Sequence, residues 1–183
     1  AIAAFFILLG DHYFGMYKFH HICEKESGLK VFEKKYKPGG VLFETGVDEN
    51  EVFNAINKYG LKLVERRVDR KNIFADGQYN RRDDVARYTV DEYGKIEKSI
   101  HHDYLSEYML SFGNTPIGVD VQRRETVLSE VRSKKVVMAY YRYLYLGGWY
   151  VNHMLPRYGA MECPNEPKDA YIEELIIKSV FGK

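Results

Sequence analysis

The sequence predicts an α+β fold with a mostly antiparallel sheet, flanked by an apolar helix at the N-terminus and an amphipathic helix at the C-terminus. Apolar residues recur at helical spacing at both ends, whereas the middle holds short strand-like runs separated by turn residues. Strands and helices do not alternate in the βαβ order of a parallel sheet. With 183 residues the chain is long enough to bury a core. We therefore expect an N-terminal helix over residues 1–26 and a single α+β extracytoplasmic domain over residues 27–183.

The N-terminal helix begins in an unbroken apolar run and continues at helical spacing to Glu26. Ten apolar residues span about 15 Å as a helix, which is half of a bilayer core. An exposed run of this kind is hard to keep from water in a monomer, so we expect it to contact a membrane or another protein subunit. The alternative is a buried N-terminal helix in a soluble protein. The expected contact residues are Ile2, Phe5, Phe6, Ile7, Leu8 and Leu9.

The next part of the chain predicts strands around one further helix. Predicted strand segments are Leu29–Tyr36, Leu61–Val68, Ala86–Val90, Ile96–Ile100 and Val119–Val121, with Val41–Phe43 as a short apolar segment. Acidic residues from Asp48 onward suit the positive end of a helix, and Gly60 suits its end. The charged stretch from Arg66 to Arg87 mixes both signs and predicts a solvated face, including the Asp83–Asp84 carboxylates.

The C-terminal half carries the strongest hairpin pattern. Thr126–Val131 and Lys135–Leu146 flank a polar turn, which predicts two antiparallel strands. A final amphipathic helix is predicted over Lys168–Phe181, after a segment that contains two prolines.

The second of these hairpin strands is rich in tyrosine. The chain has 16 Tyr and 10 Phe but one Trp, and both faces of the strand are apolar or amphipathic, as in a strand covered on two sides. One cover could be another subunit, because Tyr and Arg are enriched at interfaces. The alternatives are tyrosines packed within the monomer and a sugar-binding tyrosine platform. The interface candidates are Tyr140, Tyr141, Tyr143, Tyr145 and Trp149.

Two cysteines, Cys23 and Cys163, are separated by 140 residues and so cannot form a CxxC redox or zinc motif. In an exported protein two distant cysteines most simply pair, and the bond would close a long loop. The alternative is two unrelated buried thiols in a cytosolic protein.

Histidines provide the candidate metal ligands, namely His20, His21, His101, His102 and Asp103. Adjacent residues on a helix or strand point in different directions, so neither histidine pair can chelate alone. A site would require the fold to bring these residues together. Glycine patterns for phosphate binding and a Gly-x-Ser-x-Gly elbow are absent from the sequence. We expect no cofactor, and the net charge of +1 gives no basic excess for nucleic acid.

Both ends of the sequence carry residues that resemble a family of small bacterial exported proteins with no assigned function. The matching residues are Gly10-Asp11, Gly15, Phe19, Cys23, Glu24, Glu26, Gly28, Lys30-Val31-Phe32, Leu146-Gly147-Gly148-Trp149 and Cys163-Pro164. The hairpin departs from that family, since it reads Arg123 to Leu128 in place of an Asp-x-x-Thr-Gly turn. The resemblance implies an N-terminally anchored, envelope-facing protein with a bridge between its two cysteines, and it implies no reaction.

Together these observations predict a non-catalytic structural or accessory subunit of a bacterial cell-envelope assembly. The chain would be tethered or packed through its N-terminal helix, on the periplasmic side of the inner membrane or exported, as a homo- or hetero-oligomer. One alternative is a self-assembling extracellular filament subunit. The other is a periplasmic metal-binding protein or enzyme that uses the histidines.

Overall fold

The computed structural model of the chain describes residues 2–33, 40–44, 48–68, 84–118, 120–147 and 161–164. This part of the protein is a mixed α/β structure of two helices and a nine-stranded sheet. The helices are α1 (Ile2–Glu26) and α2 (Glu49–Tyr59). The strands are β1 (Gly28–Val31), β2 (Val41–Phe43), β3 (Leu63–Arg67), β4 (Val85–Val90), β5 (Ile96–His101), β6 (Tyr108–Pro116), β7 (Val121–Glu130), β8 (Val136–Tyr145) and β9 (Met161–Cys163).

The strands lie in the order β1-β8-β7-β6-β2-β3-β4-β5, and β9 pairs with β8. The sheet is mostly antiparallel, as predicted. Strand β2 runs parallel to both of its neighbours, β3 and β6. Because α2 connects β2 to β3, the chain forms a βαβ unit, so the expected absence of βαβ order was wrong here. All three residues of β2 are buried, and so short an apolar run has no alternation that identifies a strand.

The described residues fall into two compact units. The first unit comprises residues 2–30, 113–118, 120–126, 140–147 and 161–164. The second comprises residues 31–33, 40–44, 48–68, 84–112 and 127–139. Strands β1, β6, β7 and β8 contribute residues to both units.

In the first unit, α1 packs on the ends of the long strands. Its buried core holds Phe19 from α1 together with Val121, Tyr143 and Tyr145. Three half-buried residues of α1 pack against this cluster, namely Met16, Ile22 and Cys23. One face of α1 is therefore part of this core.

In the second unit, α2 covers one face of the β2–β3–β4 strands. The helix begins with a capping box in which Asp48 and Glu51 bond each other's backbone N–H groups, and it ends at Gly60 in the left-handed conformation. The predicted start and end are confirmed. Phe53 of α2 lies edge-on to Tyr88 of β4, with 6.0 Å between ring centroids. Tyr88 stands opposite Val64 in the ladder, so both side chains lie on the face that α2 covers.

Several predicted bounds change in the structure. The first strand ends at Val31, earlier than the predicted Tyr36. Strand β6 was not predicted, because Gly113, Asn114 and Pro116 within it are turn-forming types. The predicted helix Lys168–Phe181 lies outside the described residues. Of the helices that the structure describes, none combines the length and the apolar character needed to cross a bilayer.

Candidate functional site

One face of α1 is fixed to the sheet through Tyr145. The Tyr145 ring is fully buried and lies 5.6 Å from the Phe19 ring, measured between centroids. Its hydroxyl donates a hydrogen bond to the backbone carbonyl of His12 at 3.2 Å. This close approach requires glycine at position 15, since a Cβ there would lie 2.6 Å from the Tyr145 hydroxyl oxygen. The helix therefore packs against β8 at van der Waals distance.

A disulfide at Cys23, one turn after Phe19, fixes the same face of α1. Cys23 and Cys163 are bonded, with 5.9 Å between their Cα atoms, which confirms the predicted pair. Cys163 belongs to β9 and stands opposite Tyr143 of β8 in the ladder. The Tyr143 hydroxyl in turn donates to Glu26 at the end of α1, at 2.9 Å. Burial, together with this hydrogen bond to a carboxylate, raises the pKa of Tyr143 to about 12.

The opposite face of α1 carries three large aromatic side chains in water. Tyr13, Phe14 and Tyr17 are exposed to 66%, 60% and 70%. The Lys18 ammonium lies over the Phe14 ring, 4.3 Å from its centroid. We call Tyr13, Phe14 and Tyr17 the aromatic face of α1. Gly10, Asp11 and His12 separate it from the apolar run, whose backbone forms the start of the helix. The side chains of that run lie outside the described part, including the predicted contact residues Ile2, Phe5, Phe6, Ile7, Leu8 and Leu9.

The tyrosines of β8 are mostly core residues. Tyr140, Tyr143 and Tyr145 are buried within the chain itself, and Tyr141 is half-buried. The Tyr141 ring lies 5.5 Å from the Lys30 ammonium and 5.4 Å from the Arg123 guanidinium, so it has a cation near its face. Tyr141 is thus the described interface candidate that retains side-chain surface. Trp149 lies outside the described residues.

The histidine candidates divide between the two units. His20 and His21 are exposed on α1 in the first unit, whereas His101, His102 and Asp103 belong to the second. His101 Nε2 lies 2.9 Å from the Ser99 hydroxyl. Among the residues that the structure describes, no three His, Cys, Asp or Glu side chains are grouped as metal ligands.

His102 is hydrogen-bonded to the carboxylate of Asp84, which was predicted to be exposed to solvent. The His102 Nδ1 lies 2.5 Å from Asp84 Oδ1, where the carboxylate accepts the hydrogen bond. The Asp84 side chain is buried, so the prediction of a solvated Asp84 was wrong. It precedes β4 directly, and its place in the ladder sets it opposite His102 at the end of β5. A carboxylate on one ring nitrogen orients the imidazole and leaves Nε2 facing solvent.

A buried ion pair lies under the loop that follows β5. Glu65 of β3 has no exposed side-chain surface, and Arg87 of β4 is 10% exposed; the guanidinium Nε donates to Glu65 at 2.7 Å. The same carboxylate accepts from the backbone N–H groups of Leu105 and Ser106, at 2.9 and 2.8 Å. Arg87 also donates to the backbone carbonyl of Asp103 at 3.1 Å. The pair therefore fixes the backbone of residues 103–106.

Opposing effects act on the ionisation of Glu65. Burial by itself raises the pKa of a carboxyl group, but hydrogen bonds from Ser106 and Arg87 outweigh it, so the pKa of Glu65 lies below its usual range. Sequence reasoning did not single out this residue. The available signal was a charged residue within an apolar strand pattern, and its partner is defined only by the register of β3 with β4.

Comparisons of this chain with protein-family models, curated proteins and solved structures found no match. Function must therefore be argued from the geometry described above.

Proposed function

We propose that this protein is an extracytoplasmic, non-catalytic subunit of a bacterial cell-envelope assembly that attaches through α1. The observation that carries the proposal is the contrast between the two faces of this helix. One face is fixed to β8 and β9 by the Tyr145 contacts and the disulfide. The other leaves Tyr13, Phe14 and Tyr17 in water, where contiguous aromatic groups are typical of a contact surface.

The disulfide supports the proposed location. Bonds between cysteines persist in oxidising compartments and are rare where glutathione and thioredoxin keep thiols reduced. The Cys23–Cys163 bond joins segments 140 residues apart, so it constrains the unfolded chain strongly. This is consistent with a protein that folds and works outside the cytoplasm.

The test is the assembly state of the native protein, extracted gently from its source and imaged by electron microscopy. A multi-protein particle that is lost when residues 1–9 are deleted supports the proposal. A filament made of this chain alone would favour the self-assembling alternative. A monodisperse monomer that behaves identically with and without residues 1–9 would overturn both.

A second candidate function is suggested by His102. Its orientation by the buried Asp84 carboxylate is the arrangement of a metal ligand or a general base. This favours the alternative of a periplasmic metal-binding protein or enzyme. Metal analysis of native protein tests the metal-binding form: zinc, copper or iron at one equivalent, lost in a His102→Ala variant, would support it and contradict a purely structural role.

A further inference from the structure

The aromatic face of α1 lies at a defined distance along the helix from the apolar run. Ile2–Leu9 is an uninterrupted sequence of apolar residues, and the helix continues without a break through Tyr13 and Tyr17. In the sequence, Phe6 and Ile7 precede Tyr13 and Phe14 by seven residues, which is about two turns of an α-helix. Apolar and aromatic segments therefore follow one another on a single rigid element.

The spacing from Leu9 to the aromatic face matches the headgroup layer of a bilayer. Each headgroup layer adds roughly 5–8 Å beyond the hydrocarbon. Tyr13 and Tyr17 follow Leu9 by four and eight residues, or about 6 and 12 Å. With Leu9 at the edge of the hydrocarbon, the aromatic face falls in and just outside the headgroup layer.

The chemistry of this face also fits that layer. Tyr and other amphipathic aromatic residues are enriched at membrane–water interfaces, where the ring is apolar and the hydroxyl remains hydrated. The Lys18 ammonium lies over the Phe14 ring and so places a positive charge beside the aromatic face, where lipid phosphates would lie. His20 and His21 continue this polar side and are exposed.

A protein partner for this face is less well supported. A helix that docks into a protein groove presents a continuous apolar stripe at i, i+3, i+4 and i+7 spacing. Here the stripe that starts at Tyr13 and Tyr17 continues into exposed His20 and Glu24, so the aromatic surface ends after about one turn. A short aromatic band between an apolar and a charged segment is the pattern of an interfacial anchor.

We propose that Tyr13, Phe14 and Tyr17 bind the headgroup layer of a phospholipid bilayer, with the sheet face of α1 held away from lipid by the disulfide and the Tyr145 contacts. This inference rests on the proposed function, since it names lipid as the partner of the same helix. It places the aromatic side chains at a fixed depth and so sets how far the first unit stands from the membrane.

Fluorescence quenching by brominated lipid tests the depth. The full chain carries Tyr13→Trp in a Trp149→Phe background, because Tyr13 lies only about 6 Å along the helix from Leu9. The matched control carries Tyr93→Trp, because Tyr93 is the most exposed described tyrosine and lies on the β4–β5 turn. The vesicles contain equal parts of phosphatidylethanolamine and phosphatidylglycerol, doped with phosphatidylcholine brominated either near the headgroup or near the chain end. We expect loss of fluorescence for Tyr13→Trp, greatest with bromine near the headgroup, and none for Tyr93→Trp.

Flotation of the same vesicles with a Tyr13→Ser/Phe14→Ser/Tyr17→Ser variant measures the contribution to binding. We expect the partition coefficient to fall by at least about tenfold relative to wild type, and to be unchanged for Tyr93→Ser. If the chain floats but the Tyr13→Trp signal is not quenched, the lipid-depth inference fails while attachment through α1 stands. If the chain does not float, the inference is wrong. If the Trp signal responds to protein concentration without vesicles, the aromatic face contacts protein and the inference is again wrong. Electron microscopy of native particles decides the proposed function separately.

Discussion

Removing the buried carboxylate of Glu65 should destabilise the second unit severely. A Glu65→Met variant leaves the Arg87 guanidinium without its ion-pair partner and leaves the N–H groups of Leu105 and Ser106 without their acceptor. Breaking a buried pair on one side costs about 3–5 kcal/mol. A domain of this size is stable by only about 5–15 kcal/mol, so the variant loses a large part of its free energy of unfolding.

Arg87→Met should cost less than Glu65→Met, because the carboxylate keeps its two backbone donors. The double variant removes both charges together, so its cost should fall well below the sum of the single costs. Urea unfolding monitored by circular dichroism gives all three values. The low pKa of Glu65 adds a pH signature: its stabilisation is present above the usual carboxyl range and is lost as pH falls through the lowered value of the folded state. Glu65→Met should therefore lose less stability on acidification than wild type.

The exposed ion pair between Lys135 and Glu33 is the matched control, because its N–O distance is also 2.7 Å while the Lys135 side chain is 61% exposed. Lys135→Met should cost less than about 1 kcal/mol. Equal losses for Lys135→Met and Glu65→Met would refute the argument that burial makes the difference. Additive single and double variants at Glu65 and Arg87 would refute the coupling.

Three further predictions concern α1 and its sheet contacts. Replacing both Cys23 and Cys163 by Ala should lower the free energy of unfolding by up to about 5 kcal/mol, the entropic value for a loop of 140 residues. A decrease below about 1 kcal/mol, measured by urea unfolding, would contradict this prediction. Gly15→Ala should cost about 1–3 kcal/mol because its Cβ meets the buried Tyr145 hydroxyl, whereas Gly10→Ala, with open space around it, should be neutral or stabilising in thermal unfolding. With the pKa of Tyr143 raised to about 12, the folded state holds this proton more tightly than the unfolded state, so the free energy of unfolding should fall as pH rises from about 10 to about 12. Tyr143→Phe should reduce that fall in urea unfolding, and an unchanged fall between these pH values would contradict the prediction.

Local signals predicted some elements well. The bounds of α2 follow from Asp48, Glu51 and Gly60, which act within one turn of each end, so their effect is visible in the sequence. The β7–β8 hairpin follows from alternation around a polar turn. The disulfide followed from there being two cysteines and a predicted oxidising location.

Features that depend on pairing between distant residues were not predictable in this way. Three-residue β2 is a strand because β3 and β6 lie beside it, and nothing in its own residues separates it from a buried loop. Asp84 and Glu65 are buried because cross-strand register supplies each with a partner. Without knowledge of the register, a charged side chain is predicted to be solvated. For this reason the sequence analysis missed both the Asp84–His102 contact and the buried ion pair of Glu65.

We expect the two faces of α1 to have different roles: the aromatic face attaches the protein, and the face on the sheet determines its orientation. Exposed aromatic groups can hold the protein on a surface by themselves, but they do not determine which way the rest of the first unit points. Orientation depends on the opposite face, where Tyr145 and the Cys23–Cys163 bond fix the helix against β8 and β9. Loss of the bond should therefore leave attachment largely intact and widen the range of angles between helix and strands. Vesicle flotation measures attachment, and spin-label distances between α1 and β9 measure orientation; both are compared in wild type and the double cysteine variant. If the variant loses vesicle binding to the same extent as it loses a defined α1–β9 distance, the bond acts on the helix as a whole.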